Sequence, residues 1–535
     1  MHIKTKTLLL LVLPIFILFA VAYIQWGISG IPNVPDSAEL NNAPILKPFG
    51  FPLWLRMTHY INFLLIILLI RSGLQILADH PRLYWELHCT PGSEWARFTP
   101  VKLPSEGVWT AKQDSRYLSP WIGLPGRRHS IGMARHWHFL SILFWILNGL
   151  TFIFMLLYTP QWQRLVPTSW KILPDAWAVF THYATFHLPP EPNGFYNYNA
   201  LQQLSYFAVV FILAPLAILT GPSMSPAFTA GIKWYPRLPG NRQIGRSLHF
   251  LTMCGFVAFI ILHVTMVAVT GLTRNMNHIV MGTDNTNPVG IYLGLVGILA
   301  VVGINALAYW AAWKHPRNIQ HAAKAIVAPV TDFLFNQSAP IAEFKPEDIS
   351  PFFWANGKVP TTEEWKAMAA GDFKDYRLKV SGLVENKVNL TLNDLRTMKK
   401  KEQITLHHCI QGWSGIAEWG GVQLSELIKL VKPKPNAKAV VFYSFGEGGE
   451  GGQFYDSLSI QDALNSQTLL AYEMNYKPLN DLHGAPLRLR VENQLGFKMV
   501  KWIQSISFVE DIASVNMGEG GYNEDHEYFG EQANI

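Results

Sequence analysis

Six stretches of this 535-residue chain are apolar for long enough to cross a bilayer, which takes about 20 residues in a helix. They lie near 7–24, 53–77, 137–157, 206–220, 248–270 and 289–313. A helix satisfies its own backbone polar groups in hydrocarbon, so the N-terminal part of the chain is read as an α-helical transmembrane bundle. Composition agrees: 49% of the residues are hydrophobic and 15% charged, too apolar for a wholly soluble protein of this length. Beyond residue 340 the texture changes to short β-rich runs such as RLKVSGLV, AVVFYSF, LRLRV and KWIQSISFV, separated by Gly, Asn and Pro turns. The expected fold is therefore multidomain. It comprises an anchor or signal over 1–30, a transmembrane domain over 50–315, a linker over 316–345, an α+β, mostly β, domain over 346–512, and an acidic tail over 513–535.

The formal net charge is +6, but its distribution argues against nucleic acid as a partner. Basic residues gather in the connections between spans: Arg82, Arg97, Arg116 and Arg135 in one, Arg237, Arg242 and Arg246 in another, and Lys314 and Arg317 after the sixth run. The intervening connections hold little more than Arg164, Lys171 and Arg274. That alternation places the basic connections, and the C-terminal domain with them, in the cytoplasm of a bacterial inner membrane. The N-terminus carries Lys4 and Lys6 but no twin arginine, while Ala20-Val21-Ala22 leaves cleavage of the first run open. Three cysteines, Cys89, Cys254 and Cys409, lie far apart and in no CxxC pair, so neither a disulfide framework nor a zinc cluster is supported.

Histidine inside a span needs a partner, which makes each one a functional candidate. His59 opens the second run, His138 the third, and His249 and His263 bracket the fifth. The last two are 14 residues apart, so on a helix they fall within about 40° of one face and roughly 21 Å apart along its axis. Chain direction puts His59 and His263 at one depth and His138 and His249 at the other. Two facing pairs of neutral imidazoles are what two bis-histidyl haems b require in a bundle core. His136 competes with His138 for this role, and each histidine taken singly is equally compatible with hydrogen bonding to a neighbouring helix.

The strings RMTHYINF, ARHWHF, LTGPSMSPA and RQIGRSLHF, followed by ILHVTMVAVTG, resemble the di-haem cytochrome b subunits that serve formate dehydrogenases and nickel-iron hydrogenases. The likeness runs over about 54–282 and implies that His59, His138, His249 and His263 hold haem iron.

Cys409 follows an alternating apolar run, with glycine-rich turns behind it. A thiolate there suits a soft metal, although a lone cysteine is more often a buried structural thiol. FFWANGKVP, TLHHCIQGWSG, LLAYEMN, HGAPLRLRV and GFKMVKWIQSI occur in this order and resemble the sulfite oxidase fold, a molybdopterin-binding domain, over about 351–510. The resemblance implies that Cys409 is the catalytic ligand to molybdenum. It further implies that Asn356, His408, Arg488, Gly496, Lys498 and Lys501 contact the pterin and its phosphate. Sulfite oxidases place arginines around their oxyanion pocket, whereas Ala355 and Gln411 stand at the corresponding positions here. The WS after Cys409 is closer to the methionine-sulfoxide reductase branch, although Gln411 stands where that branch tends to carry an acid.

The reading that follows is a membrane oxidoreductase. Molybdopterin would perform oxygen-atom transfer on a small oxo-substrate, and two haems b would exchange electrons with quinone or an electron-transfer protein. A haem b electron carrier whose C-terminal domain binds a partner without molybdenum is the alternative, and a ferric or quinone reductase is a third; the sequence leaves homo-oligomerisation open.

Overall fold

The computed structural model describes residues 2–34, 50–99, 110–126, 130–189, 193–225, 240–335, 344–447 and 452–515. Among them, six helices are long and apolar enough to cross a membrane. They are α1 (Thr5–Ser29), α2 (Leu53–Asp79), α3 (Ser130–Tyr158), α4 (Ala200–Met224), α5 (Arg242–Val269) and α6 (Val289–Lys314). The helix α2 is the most enclosed, packed on both α3 and α6.

Helices α3, α4 and α5 begin earlier than their apolar runs suggest, and caps explain the last two. Asn199 and Gln202 cap α4 reciprocally. The Asn241 side chain accepts from the backbone N–H groups of Gln243 and Ile244, which draws the polar residues from Arg242 to Ser247 into the first turns of α5. A π-helical turn, Val209–Leu213, interrupts α4. The expected linker holds a further helix, α7 (Pro316–Phe335), which packs against α3 and buries Gln320 and Ala323 on one side. Its apolar positions recur at helical spacing between polar ones, a pattern that short apolar stretches hid.

The chain start is tied to one end of the bundle. Strand β1 (His2–Ile3) pairs with β3 (Ala96–Arg97), which pairs with β2 (Arg82–Leu83). The N-terminus therefore lies at the same end as the basic connection after α2.

The C-terminal domain holds two five-stranded sheets. One runs β11 (Lys477–Pro478), β10 (Leu469–Met474), β7 (Ser414–Gln423), β6 (Lys400–His408), with β12 (Arg488–Arg490) on β10. The other runs β5 (Val388–Thr391), β4 (Arg377–Gly382), β13 (Ile503–Val509), β8 (Ala439–Glu447), β9 (Gln453–Ser459), with only β4 and β13 parallel. Leu378, Val380, Val440, Phe442, Ile506 and Phe508 on the second sheet, with Val422, Leu470 and Leu489 on the first, build the core. Alternation along β4 buries Leu378 and Val380 and exposes their neighbours, as a strand with one wet face requires. By contrast β7 is buried at nearly every position. Residues of the membrane module and the 350–354 segment cover what would otherwise be an open edge.

The acidic tail expected over 513–535 lies outside the described residues beyond Val515.

Candidate functional site

Helix geometry brings the span histidines together in two pairs. The rings of His59 and His263 have their centres 6.3 Å apart, and so do those of His138 and His249. Two imidazoles that donate to one metal ion from opposite sides, each through a bond of about 2 Å, hold their ring centres roughly 6 Å apart. His136 is turned away from this arrangement, its Nδ1 donating to the carbonyl of Gly132 at 2.8 Å.

Hydroxyl groups fix the tautomers. Ser72 Oγ donates to the Leu68 carbonyl at 2.7 Å and so accepts from His138 Nδ1, 3.0 Å away. Thr220 Oγ1 likewise donates to the Leu216 carbonyl at 2.7 Å and accepts from His249 Nδ1 at 2.9 Å. With the proton on Nδ1, each Nε2 keeps its lone pair for a metal. Tyr206 OH lies 3.4 Å from His263 Nδ1. The donor set and spacing fit haem b.

Cys409 lies in the turn between β6 and β7, closed by Cys409 N–H to the Trp413 carbonyl and Gly412 N–H to the Cys409 carbonyl, both at 3.1 Å. Gly412 has φ +106°, and a Cβ there would meet the Arg246 guanidinium at 3.0 Å, so only glycine fits. The Cys409 side chain is 3% exposed. Gln411 Oε1 lies 3.9 Å from its Sγ and accepts from Asn356 Nδ2 and Trp413 Nε1, both at 3.3 Å; Gln411 Nε2 donates to Ser115 Oγ at 3.0 Å.

Because successive strand residues face opposite ways, His407 and His408 part company. His407 turns into the soluble domain beside Arg490, 3.0 Å from its Nη1. A Cβ on Gly496 would stand 2.4 Å from the His407 ring, so Gly496 makes room for that side chain. His408 turns to the membrane module, its Nδ1 3.2 Å from Arg242 Nη1. Burial, then Arg242, holds the His408 imidazole well below its usual range.

The remaining expected site residues separate by charge balance. Lys498 is fully buried in an ion pair with Asp456 at 2.6 Å, so its charge is met within the domain. Arg488 and Lys501 have no such partner among the described residues. Arg488 Nη1 donates to the His483 carbonyl at 2.8 Å, and its buried Nε has no acceptor. Lys501 Nζ donates to the carbonyls of Asn356 and Leu482. Burial, then Arg488, pushes Lys501 well below its usual range. Two neighbouring cations that donate to carbonyls and lie over the rings of Trp419 and Trp502, with no carboxylate paired to them among the described residues, suit an anion such as a phosphate. No group of three or more His, Cys, Asp or Glu side chains forms a metal cage among the described residues. A metal that brings its other ligands with it, as a pterin dithiolene does, suits Cys409. The residues present fit a molybdopterin.

Sequence reasoning missed the contribution of the membrane module. Gln243 Nε2 donates to the Gly412 carbonyl at 3.0 Å and to Ser414 Oγ at 2.9 Å, and Arg242 Nη2 to the Cys409 carbonyl at 3.3 Å. Trp354 Nε1 donates to the Cys89 carbonyl at 2.7 Å. Arg242 and Arg246 had registered only as charge that sets topology.

The comparisons with known proteins divide the chain in the same way. Residues 50–282 match the family model of the prokaryotic cytochrome b561, and residues 365–515 that of the oxidoreductase molybdopterin-binding domain. The chain thus joins a membrane cytochrome b module to a molybdopterin-binding oxidoreductase module. Among its relatives is a chain described as a protein-methionine-sulfoxide reductase subunit, YedZ1, of Azospira oryzae, 36% identical over 29% of this chain and 55% of that one. Another is the protein-methionine-sulfoxide reductase catalytic subunit MsrP of Xanthomonas campestris, 34% identical over 31% of this chain and 55% of its own length. The chain spans about half the length of the curated relatives it matches. A solved structure, the sulfane dehydrogenase SoxCD of Paracoccus pantotrophus, aligns with 26% of this chain and 39% of its own at 26% identity, with a TM-score of 0.24.

Proposed function

We propose that the protein is a membrane-bound oxidoreductase acting on a small S- or N-oxide, with Cys409 as the molybdenum ligand and two haems b held by His59–His263 and His138–His249. Bound there, molybdopterin supplies two-electron oxygen-atom transfer, and haem supplies one-electron steps. The chain's own residues bind, orient and insulate. Arg488 and Lys501 hold the pterin phosphate, Asn356 and Gln411 brace the Cys409 turn, and Ser72 and Thr220 keep the His138 and His249 lone pairs directed at iron.

The observation that carries this reading is the Arg242 contact with the Cys409 carbonyl. Arg242 precedes His249 on the same helix by seven residues, about 10 Å along the axis. The Cys409 turn thus abuts the His138–His249 end of the bundle, where one-electron exchange with the metal is short. Quinone at the far end would complete a path across the membrane. The enclosure of Cys409, Gln411, Trp413 and Ser414 against the membrane module favours a small free oxide over one carried on a protein surface. The test is metal analysis and absorption spectroscopy of the detergent-purified full chain. One molybdenum per two haem irons, with dithionite-reduced haems reoxidised by dimethyl sulfoxide or trimethylamine N-oxide, is expected. Haem without molybdenum would favour the electron-carrier reading instead.

Thr220→Val removes the acceptor for His249 Nδ1 while keeping the shape. It is expected to weaken haem retention at the His138–His249 pair by about 10- to 100-fold, as loss of such supporting hydrogen bonds does; titrating the stripped protein with haem measures it.

The molybdenum domain, the β1–β3 pairing and the basic connections share one end of the bundle, which supports a cytoplasmic position for the domain. Alkaline phosphatase fused after Ile535 is expected to be inactive and a green fluorescent protein fusion at the same point bright. The reverse pattern would place the domain in the periplasm.

A further inference from the structure

We infer that Arg242, the first residue of α5, is a positioning residue of the molybdenum site, supplied by the membrane module to a centre whose other groups come from the soluble domain. The inference rests on the reading of Cys409 as a metal ligand. Its guanidinium spans two consecutive residues, with Nη2 3.3 Å from the Cys409 carbonyl and Nη1 3.2 Å from His408 Nδ1. A planar fork grips two acceptors at fixed spacing in a way that a lysine ammonium does not. Neither acceptor carries charge, and among the described residues Arg242 has no carboxylate partner. A cation left without a counter-ion stabilises negative charge nearby, and the Cys409 thiolate, with what it ligates, belongs to the turn that Arg242 grips.

The rest of the first two turns of α5 reinforces the grip. Gln243 holds Gly412 and Ser414. Arg246 closes over Gly412 while donating to the carbonyls of His80 and Arg82 at 2.6 and 2.7 Å. One helix therefore clasps the turn from His408 to Ser414 and, two turns on, carries His249. The charge of Arg242 acts on the molybdenum through the Cys409 peptide, so it favours the electron-richer, reduced state of the centre.

The test uses the full-length holoprotein carrying Arg242→Gln or Arg242→Lys, with redox titration of the molybdenum EPR signal and the haem absorption as internal control. Arg242→Gln is expected to destabilise the reduced centre about tenfold, a fall of about 59 mV for a one-electron couple, with both haem bands unchanged. Arg242→Lys is expected to restore the potential but leave the EPR line shape altered, because the charge returns without the fork. Arg242→Gln with wild-type potential and line shape would overturn the inference. If Arg242→Gln binds no molybdenum, Arg242→Lys decides: a wild-type line shape overturns the inference and an altered one supports it. Wild-type protein free of molybdenum would overturn the reading of Cys409 and this inference together.

Discussion

Cys409→Ser is expected to lower oxide reduction by artificial donors by at least about 10³-fold, some 4 kcal/mol of barrier, while leaving the haem spectrum as it is. Serine is the smallest available change. It keeps the volume of a side chain that is 3% exposed and leaves untouched the two backbone hydrogen bonds that close the turn, so the loop survives. What changes is the donor atom: an alcohol oxygen is hard and weakly acidic where molybdenum takes a soft thiolate. The cytochrome helices have their own core, built on Leu65, Leu69, Trp145 and Phe256, so their haem retention does not depend on the sulfur. Molybdenum content, viologen-driven turnover and reduced-minus-oxidised spectra of one preparation measure all three. Turnover within a factor of ten of wild type would show that the thiolate is not a required ligand.

His249→Ala is expected to have the complementary effect. The haem content should fall from two to one per chain, and exchange between the remaining haem and molybdenum should slow by at least about 100-fold, whereas viologen, which reduces molybdenum directly, should still drive oxide reduction. The reason is distance: His263 lies 14 residues further along α5, roughly 21 Å, and the vacated pair is the intermediate stop. Haem quantification and stopped-flow reoxidation by dimethyl sulfoxide provide the measurement. Two haems in the purified variant would refute the pairing of His138 with His249.

How much of this was legible in the sequence depends on how local each signal is. All six spans declared themselves, because hydrocarbon length is a property of a single segment. The histidine pairs followed from chain direction plus a 14-residue interval, and the helices bring both pairs to the same 6.3 Å spacing. Motif order placed the strands of the C-terminal domain. What remained hidden were contacts between residues far apart in the chain. Arg242 and Cys409 are 167 positions apart, and an arginine beside a span reads first as topology. The Asp456 carboxylate that meets Lys498 lies 42 positions away, and the facing of His407 and His408 depends on the phase of β6. The helix α7 escaped because its apolar residues are interrupted by polar ones and make no run long enough for a span.

Helix α4 supplies no ligand histidine, yet it touches both pairs. On α4, Tyr206 lies beside His263 and Thr220 holds His249, at opposite ends of one helix with a π-helical turn between them. A slide of α4 by a single residue, about 1.5 Å, withdraws both hydroxyls together and changes the basicity of one imidazole in each pair. One helix thus reaches both imidazole pairs at once. Where both pairs hold haem, as proposed, a shift of this helix is expected to change both sites together.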